Sequence, residues 1–173
     1  MSSSSYYGKQ LHEAEQFEIL VEKKLLEELH KGRPGFSITR HTTQATQLAH
    51  GDLRISIAAT GESWDIEIKN DKQMADTRNL YIETQEKSHP NNPDFIDSGI
   101  FASSSADLYG IGDKCEFYLF DRAALRALAP PPDKWMTIDR GTSRGFLLEI
   151  KNLSTPGSPE SEALWREFRW PRL

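Results

Sequence analysis

At 173 residues, 37% hydrophobic and 27% charged, the chain is long enough for one well-buried domain and short for two. Its net charge of −5 leaves no basic footprint of the kind nucleic-acid binding usually leaves, and no apolar run reaches the length of a bilayer span, so no membrane association is expected. MSSSSYYGKQ lacks the apolar stretch of a signal peptide, and the lone Cys115 excludes a disulfide framework and a thiolate metal site; a reducing cytoplasm is the expected compartment.

The polar, serine-rich residues 1–9 read as disordered. From Gln10 to Lys31, Ala14, Phe17, Val21, Leu25 and Leu29 recur at three- and four-residue spacing, with Leu20 widening the stripe. That periodicity predicts a helix, stopped by Gly32 and Pro34. Strand-like runs follow in PGFSITRHT, DLRISIAA and SWDIEIKN, the last two reading as a hairpin turned at Gly61. NLYIETQEK is a further strand, and SHPNNPDF, with two prolines and two asparagines, is a loop. A short helix is expected around Ser104–Tyr109, then a buried strand in CEFYLF and a helix in DRAALRALA capped by Asp121 and ended by PPPD. KWMTID and GFLLEIKN form a strand pair. Residues 153–173 read as a linker and tail outside a domain spanning 10–152. The order of elements predicts a mixed α/β sheet with the long first helix on one face.

SWDIEIKND, residues 63–71, alternates charge with apolar side chains. Trp64, Ile66 and Ile68 point toward a core, and Asp65, Glu67 and Lys69 point the other way. Taken alone this is the wet face of a strand. Acid-x-Lys occurs three times, in Glu22/Lys24, Glu67/Lys69 and Glu149/Lys151. The first lies on a helix, where that spacing does not bring the side chains together. The second is distinguished by Gly51-Asp52 upstream, because hairpin pairing would bring Asp52 beside Glu67 and Lys69. Glu15, Glu18 and Glu22 share a flank of the first helix and would reach the same place. Glu149/Lys151 has Asp139 before it but no comparable elements after it.

A helix bearing a glutamate, Asp52 at a strand start, and Glu67-Ile68-Lys69 on the next strand resemble the PD-(D/E)xK nuclease superfamily, which includes Holliday-junction resolvases and restriction endonucleases. IEIKND, TRNLYIE and SGIFASSSAD also look like small phage and bacterial proteins of that group, and the resemblance covers residues 10–120. It departs at Gly51, where the family usually has proline. The resemblance implies a restriction-endonuclease-like mixed β-sheet flanked by helices, with an αβββαβ core. It also implies a phage- or prophage-related, metal-dependent DNA endonuclease leaving 5′-phosphate and 3′-hydroxyl ends. Asp52, Glu67, Lys69 and Glu18 would be catalytic, with Glu18 first among the helix glutamates. Asp52, Glu67, the Ile68 carbonyl, Glu18 and Glu83 would offer hard oxygens to Mg²⁺ or Mn²⁺. The metal would polarise the phosphate and acidify a water, and Lys69 would position that water or stabilise the transition state. Cutting both strands takes two sites, which a homodimer would supply. The alternative is a non-catalytic DNA- or protein-binding module on the same fold, and an enzyme acting on RNA is a third reading.

Around this centre, Glu83 is equally readable as a metal or water-positioning group and as a solvated strand charge. Asp65 is read as the partner of a neighbouring base, and Asp71 and Lys72 as loop charges. Ser98, Ser103, Ser104 and Ser105 are read as caps before phosphate contacts, and Arg40, His41 and Arg54 as surface charges before DNA-backbone contacts. His12, His30, His41, His50 and His89 have no zinc spacing, and no glycine-rich phosphate loop occurs. The basic groups Arg33, Arg40 and His41, and Arg122, Arg126, Arg140 and Arg144, keep DNA as a partner despite the acidic balance. Trp165, Phe168 and Trp170, among Arg166, Arg169 and Arg172, are expected to dock on the chain's own domain in preference to stacking on nucleic acid.

Overall fold

In the computed structural model the described residues are 3–31, 35–138 and 141–169; Gly32, Arg33, Pro34, Asp139, Arg140, Trp170 and Arg172, named above, lie outside them. The first helix, α1, runs Ser3–His30. It begins ahead of Gln10, at Ser3; adding residues to a formed helix costs little compared with starting one. Phe17, Val21, Leu25 and Leu29 are buried, as their spacing requires, whereas Ala14 is exposed.

The chain continues through β1 (Phe36–Arg40), α2 (Gln44–His50), β2 (Leu53–Ile57) and β3 (Ser63–Asn70). β2 and β3 form the expected antiparallel hairpin, with Leu53 opposite Ile66 and Arg54 opposite Asp65. After α3 (Met74–Thr77) come β4 (Asn79–Glu86), the two-residue β5 (Ile96–Asp97) and a 3₁₀ turn at Gly99–Phe101. The predicted helix at Ser104–Tyr109 is absent. Leu108–Gly112 is instead strand β6, buried along its whole length, and residues 102–107 are an irregular loop. Tyr109 and Ile111 fill the core on one side of β6 and Leu108 the side facing α1, which a strand achieves and a short helix would not. β7 (Glu116–Asp121) and α4 (Arg122–Ala127) follow, Asp121 accepting the Ala124 N–H as the predicted cap. β8 (Met136–Ile138) pairs with β9 (Ser143–Glu149), and α5 (Ile150–Leu153), α6 (Pro159–Ala163) and β10 (Leu164–Arg169) end the described chain.

The fold is mixed α/β. A six-stranded sheet has the order β1-β2-β3-β6-β7-β10, with β6 parallel to β3 and every other pairing antiparallel; a four-stranded sheet has the order β5-β4-β9-β8. Ile66, Ile68, Leu53, Ile55, Leu108, Phe117 and Leu119 pack the α1 face of the larger sheet. Its other face, through Tyr109, Ile111, Tyr118 and Phe120, meets Leu80, Ile82, Phe146 and Leu148 of the smaller sheet. NLYIETQEK is thus a strand as expected, but of the second sheet. The segment read as linker and tail supplies β10, which pairs with β7 and buries Phe168. Among the described residues no helix is long and apolar enough to cross a membrane.

Candidate active site

Asp65, Glu67 and Lys69 do alternate away from Ile66 and Ile68, but their face is not an outer wet one. It looks toward the smaller sheet, and the three side chains range from buried to half-buried. Asp52 immediately precedes β2, next to Leu53, whose partner on β3 is Ile66. Its backbone N–H donates to the Ile66 carbonyl at 2.7 Å, and its Oδ2 accepts the Ile68 N–H at 2.7 Å. A residue of a strand presents its N–H and C=O to the same neighbour. The Ile68 carbonyl is therefore directed to the side on which Asp52 lies, past the start of β2.

Gly51 makes this approach available. Its φ is +83°, and a Cβ there would lie 2.6 Å from the Ile66 carbonyl oxygen. It closes α2, donating its N–H to the Gln47 carbonyl at 2.8 Å. Glycine is what this position demands. α2 was not foreseen, although Thr43 before QATQLAH and Gly51 after it are ordinary cap residues; the Thr43 side chain accepts the Thr46 N–H.

A cleft of about 370 Å³ is lined by Asp52, Glu67 and Lys69 together with Gln47 and Leu48 of α2 and with Ile96, Ser98 and Ser104, among others. Lys69 Nζ is 2.9 Å from Glu67 Oε1, its side chain 36% exposed. Burial works against the Lys69 ammonium, but Glu67 and Glu83 outweigh it and hold the group well above the usual lysine range. Asp52 is pushed up to about 7, first by burial and then by Glu67. Glu18 is also raised, by burial, with Arg40 opposing and the charges of Glu67 and Lys69 reaching it. Of the three helix glutamates, Glu18 is the one whose charge couples to Asp52; Glu15 and Glu22 each lie 3.8 Å from Arg40. Glu86, which also lines the cleft, is raised by burial and by Glu83.

Other sequence candidates have different occupations. Both Glu83 oxygens accept hydroxyls, from Ser98 at 2.6 Å and Ser143 at 2.8 Å, so Glu83 supports the site from behind. Asp65 receives Arg54 bidentately at 2.7 and 2.8 Å, with His50 at 3.2 Å and His41 at 3.6 Å. Burial raises Asp65, but Arg54 and the histidines outweigh it and lower it overall. The reading of Asp65 as a base-paired carboxylate therefore describes it. Asp71 accepts the Gln73 and Tyr81 N–H groups, and Lys72 pairs with Glu13. Ser104 accepts from Arg122 and Ser105 bonds His50 and the Ala49 carbonyl, while Ser103 lines the cleft. The competing Glu149/Lys151 pair is solvent-exposed, its side chains 50% and 78% accessible.

The donor chemistry suits a hard divalent cation in one respect: Asp52 and Glu67 are neighbours, and with Asp52 ionised, above about pH 7, they carry more negative charge than Lys69 compensates. In another respect the set is incomplete, since among the described residues no three carboxylate or imidazole groups converge at ligand positions. Asp52, Glu67 and the Ile68 carbonyl side are brought together, Glu18 stands near, and Glu83 is committed elsewhere. No family model, no characterised protein and no solved structure matches this chain.

Proposed function

We propose that the chain is a metal-dependent DNA endonuclease on a restriction-endonuclease-like variant of the mixed α/β fold, hydrolysing phosphodiester bonds at the cleft over β2 and β3. The observation that carries this reading is Asp52 anchored by the Ile68 N–H beside Glu67, with Lys69 bonded to Glu67 in the same cleft. The order α1-β1-α2-β2-β3, with β1, β2 and β3 adjacent in one sheet and β6 parallel to β3, supports the fold reading. In place of a crossover helix, the chain between β3 and β6 runs through α3, β4, β5 and the 3₁₀ turn.

Asp52, Glu67 and the Ile68 carbonyl would hold Mg²⁺ or Mn²⁺, with Glu18 through an outer-shell water. Bound there, the metal supplies a Lewis acid for the phosphate and a water of lowered pKa. Lys69, kept cationic by Glu67 and Glu83, stabilises negative charge developing on the phosphate. Asp52 must lose its proton to bind the cation, so metal affinity falls as pH drops below about 7.

A non-catalytic DNA- or protein-binding module is the second reading, favoured by the missing third converging ligand. The two separate on a DNA panel of supercoiled plasmid, single strands and a four-way junction with Mg²⁺ or Mn²⁺. The nuclease reading expects metal-dependent cleavage that falls by at least about a hundredfold in Lys69→Ala and in Asp52→Asn. A folded wild type that cleaves nothing on the panel moves the assignment to the binding module.

A further inference from the structure

Tyr109 is fully buried on β6, and its hydroxyl has no hydrogen-bond partner among the described residues. A buried polar group is nearly always paired, because leaving one unmet costs folding free energy. Phenylalanine would fill the same core space without that cost, so packing alone does not account for the hydroxyl.

Its position supplies another account. β6 runs parallel to β3, with Tyr109 in register with Glu67 and Ile111 with Lys69. Side chains in register on neighbouring strands share a face, and Tyr109 and Ile111 lie in the core between the two sheets. The charges that act on the phenol are those of Lys69, Glu83 and Glu67, in that order. The Glu83 main chain also comes near, without completing a hydrogen bond. Burial pushes the phenol up, so it stays neutral and its oxygen is able to accept.

Lys69 is bonded to Glu67 at 2.9 Å. On the nuclease reading Glu67 holds a divalent cation, and an ammonium beside that cation is repelled by it. Lys69 then needs a different acceptor. Glu83 already takes hydroxyl protons from Ser98 and Ser143 on its two oxygens. The Tyr109 oxygen takes none.

We propose that Tyr109 is a positioning residue for Lys69: when Glu67 engages a divalent cation, Lys69 passes to the Tyr109 phenol oxygen and is held there beside the cleft. The inference rests on the nuclease reading for the cation at Glu67. It gives Glu67 and Lys69 separate partners in the loaded site, and it explains why a hydroxyl is kept in an apolar layer.

The test is Mg²⁺ binding, followed by calorimetry and by the tyrosine Cζ resonances in NMR spectra of labelled protein. The Tyr109 signal is assigned by its loss in Tyr109→Phe, and wild type is compared with Tyr109→Phe, Lys69→Ala and the double variant. Tyr109→Phe should weaken Mg²⁺ binding by about tenfold in the wild-type background and by less than about twofold in Lys69→Ala. Mg²⁺ should move the Tyr109 resonance in wild type and leave it in place in Lys69→Ala. Without Mg²⁺, the urea midpoint of Tyr109→Phe should equal or exceed that of wild type, since the variant removes an unmet polar group. Equal Mg²⁺ binding by wild type and Tyr109→Phe overturns the proposal and leaves the nuclease reading standing. So does a loss that persists in Lys69→Ala, or a lowered urea midpoint, either of which makes the phenol a structural group. Absence of any Mg²⁺ binding, by calorimetry and in every resonance, removes the nuclease reading and the proposal with it.

Discussion

The Asp52 carboxyl sits beside Glu67 with one oxygen on the Ile68 N–H, and burial followed by Glu67 pushes it up to about 7. In the unfolded chain it returns to the ordinary value near 3.8. An acid raised on folding contributes stability that is fully present below the unfolded value and is lost as pH rises through the folded one. Above about pH 7, therefore, the folded protein bears the cost of an ionised, crowded Asp52. Linkage sets that cost at no more than about 4 kcal/mol, and the open cleft reduces it. Asp52→Asn keeps an oxygen for the Ile68 N–H and removes the charge. It should stabilise the fold by ~1–2 kcal/mol at about pH 8, the gain shrinking as pH falls from about 7 toward 3.8, in parallel urea titrations. The same variant should lose cleavage. Greater stability with lost activity is the signature of a residue kept for chemistry. A destabilised Asp52→Asn at about pH 8 would instead make the carboxylate a structural group.

Between β5 and β6, the wall of the cleft is held by a buried arginine. Arg122, 2% exposed, donates to the carbonyls of Gly99, Ile100, Ala102, Ser104 and Ala106 and to the Ser104 hydroxyl, at 2.6–3.2 Å. Arg126 adds a bond to Ala102 at 3.3 Å and a short one to Ile100. Gly99, at φ +51°, lets the turn lie against β4, where a Cβ would come within 2.3 Å of the Glu83 carbonyl oxygen. Arg122→Met leaves several carbonyls without donors and should cost about 3 kcal/mol or more in chemical denaturation. Arg122→Lys should recover only part of this, because an ammonium cannot span the same fork of acceptors. A cost under about 0.5 kcal/mol for Arg122→Met would detach the loop from the arginine.

This element also marks where local reading stopped. α1, the β2–β3 hairpin and the α4 cap were legible because each is specified by its own periodicity or end residues. Asp52, Glu67 and Lys69 converge through that hairpin, so their proximity was legible too. SGIFASSSAD was not, since its conformation is set by an arginine about twenty residues downstream. Ile96 and Glu86 reach the cleft through the packing of the smaller sheet on the larger, a relation that no short window of sequence contains.

At the scale of the whole molecule, α1, the six-stranded sheet and the four-stranded sheet are stacked layers, and the cleft is lined by both sheets, by Glu67 and Lys69 of the larger and Glu86 and Ile96 of the smaller. β10 closes the larger sheet beside β7, and Phe168 enters the same core as Phe17, Leu25, Ile66 and Ile68. Its ring lies 6.4 Å from Phe117, which in turn meets Phe17 of α1 at 6.2 Å. α1 and β10 thus meet on the Phe117 ring of β7. Local composition hid this: STPGSPESEALWREFRWPRL opens with a turn-rich run, and only pairing with β7 makes LWREFR a strand. Phe168→Ala should cost about 3 kcal/mol or more by removing a buried aromatic ring and leaving a cavity. A tail merely resting on the surface would cost less than about 0.5 kcal/mol. Tryptophan fluorescence and far-ultraviolet circular dichroism distinguish the two, because Trp64 and Trp165 face each other at 6.2 Å near β10 while Trp135 packs on Phe101 beside the second sheet. If the layers form one cooperative unit, both probes shift together in Phe168→Ala. If β10 peels away alone, fluorescence moves first and circular dichroism follows at higher denaturant.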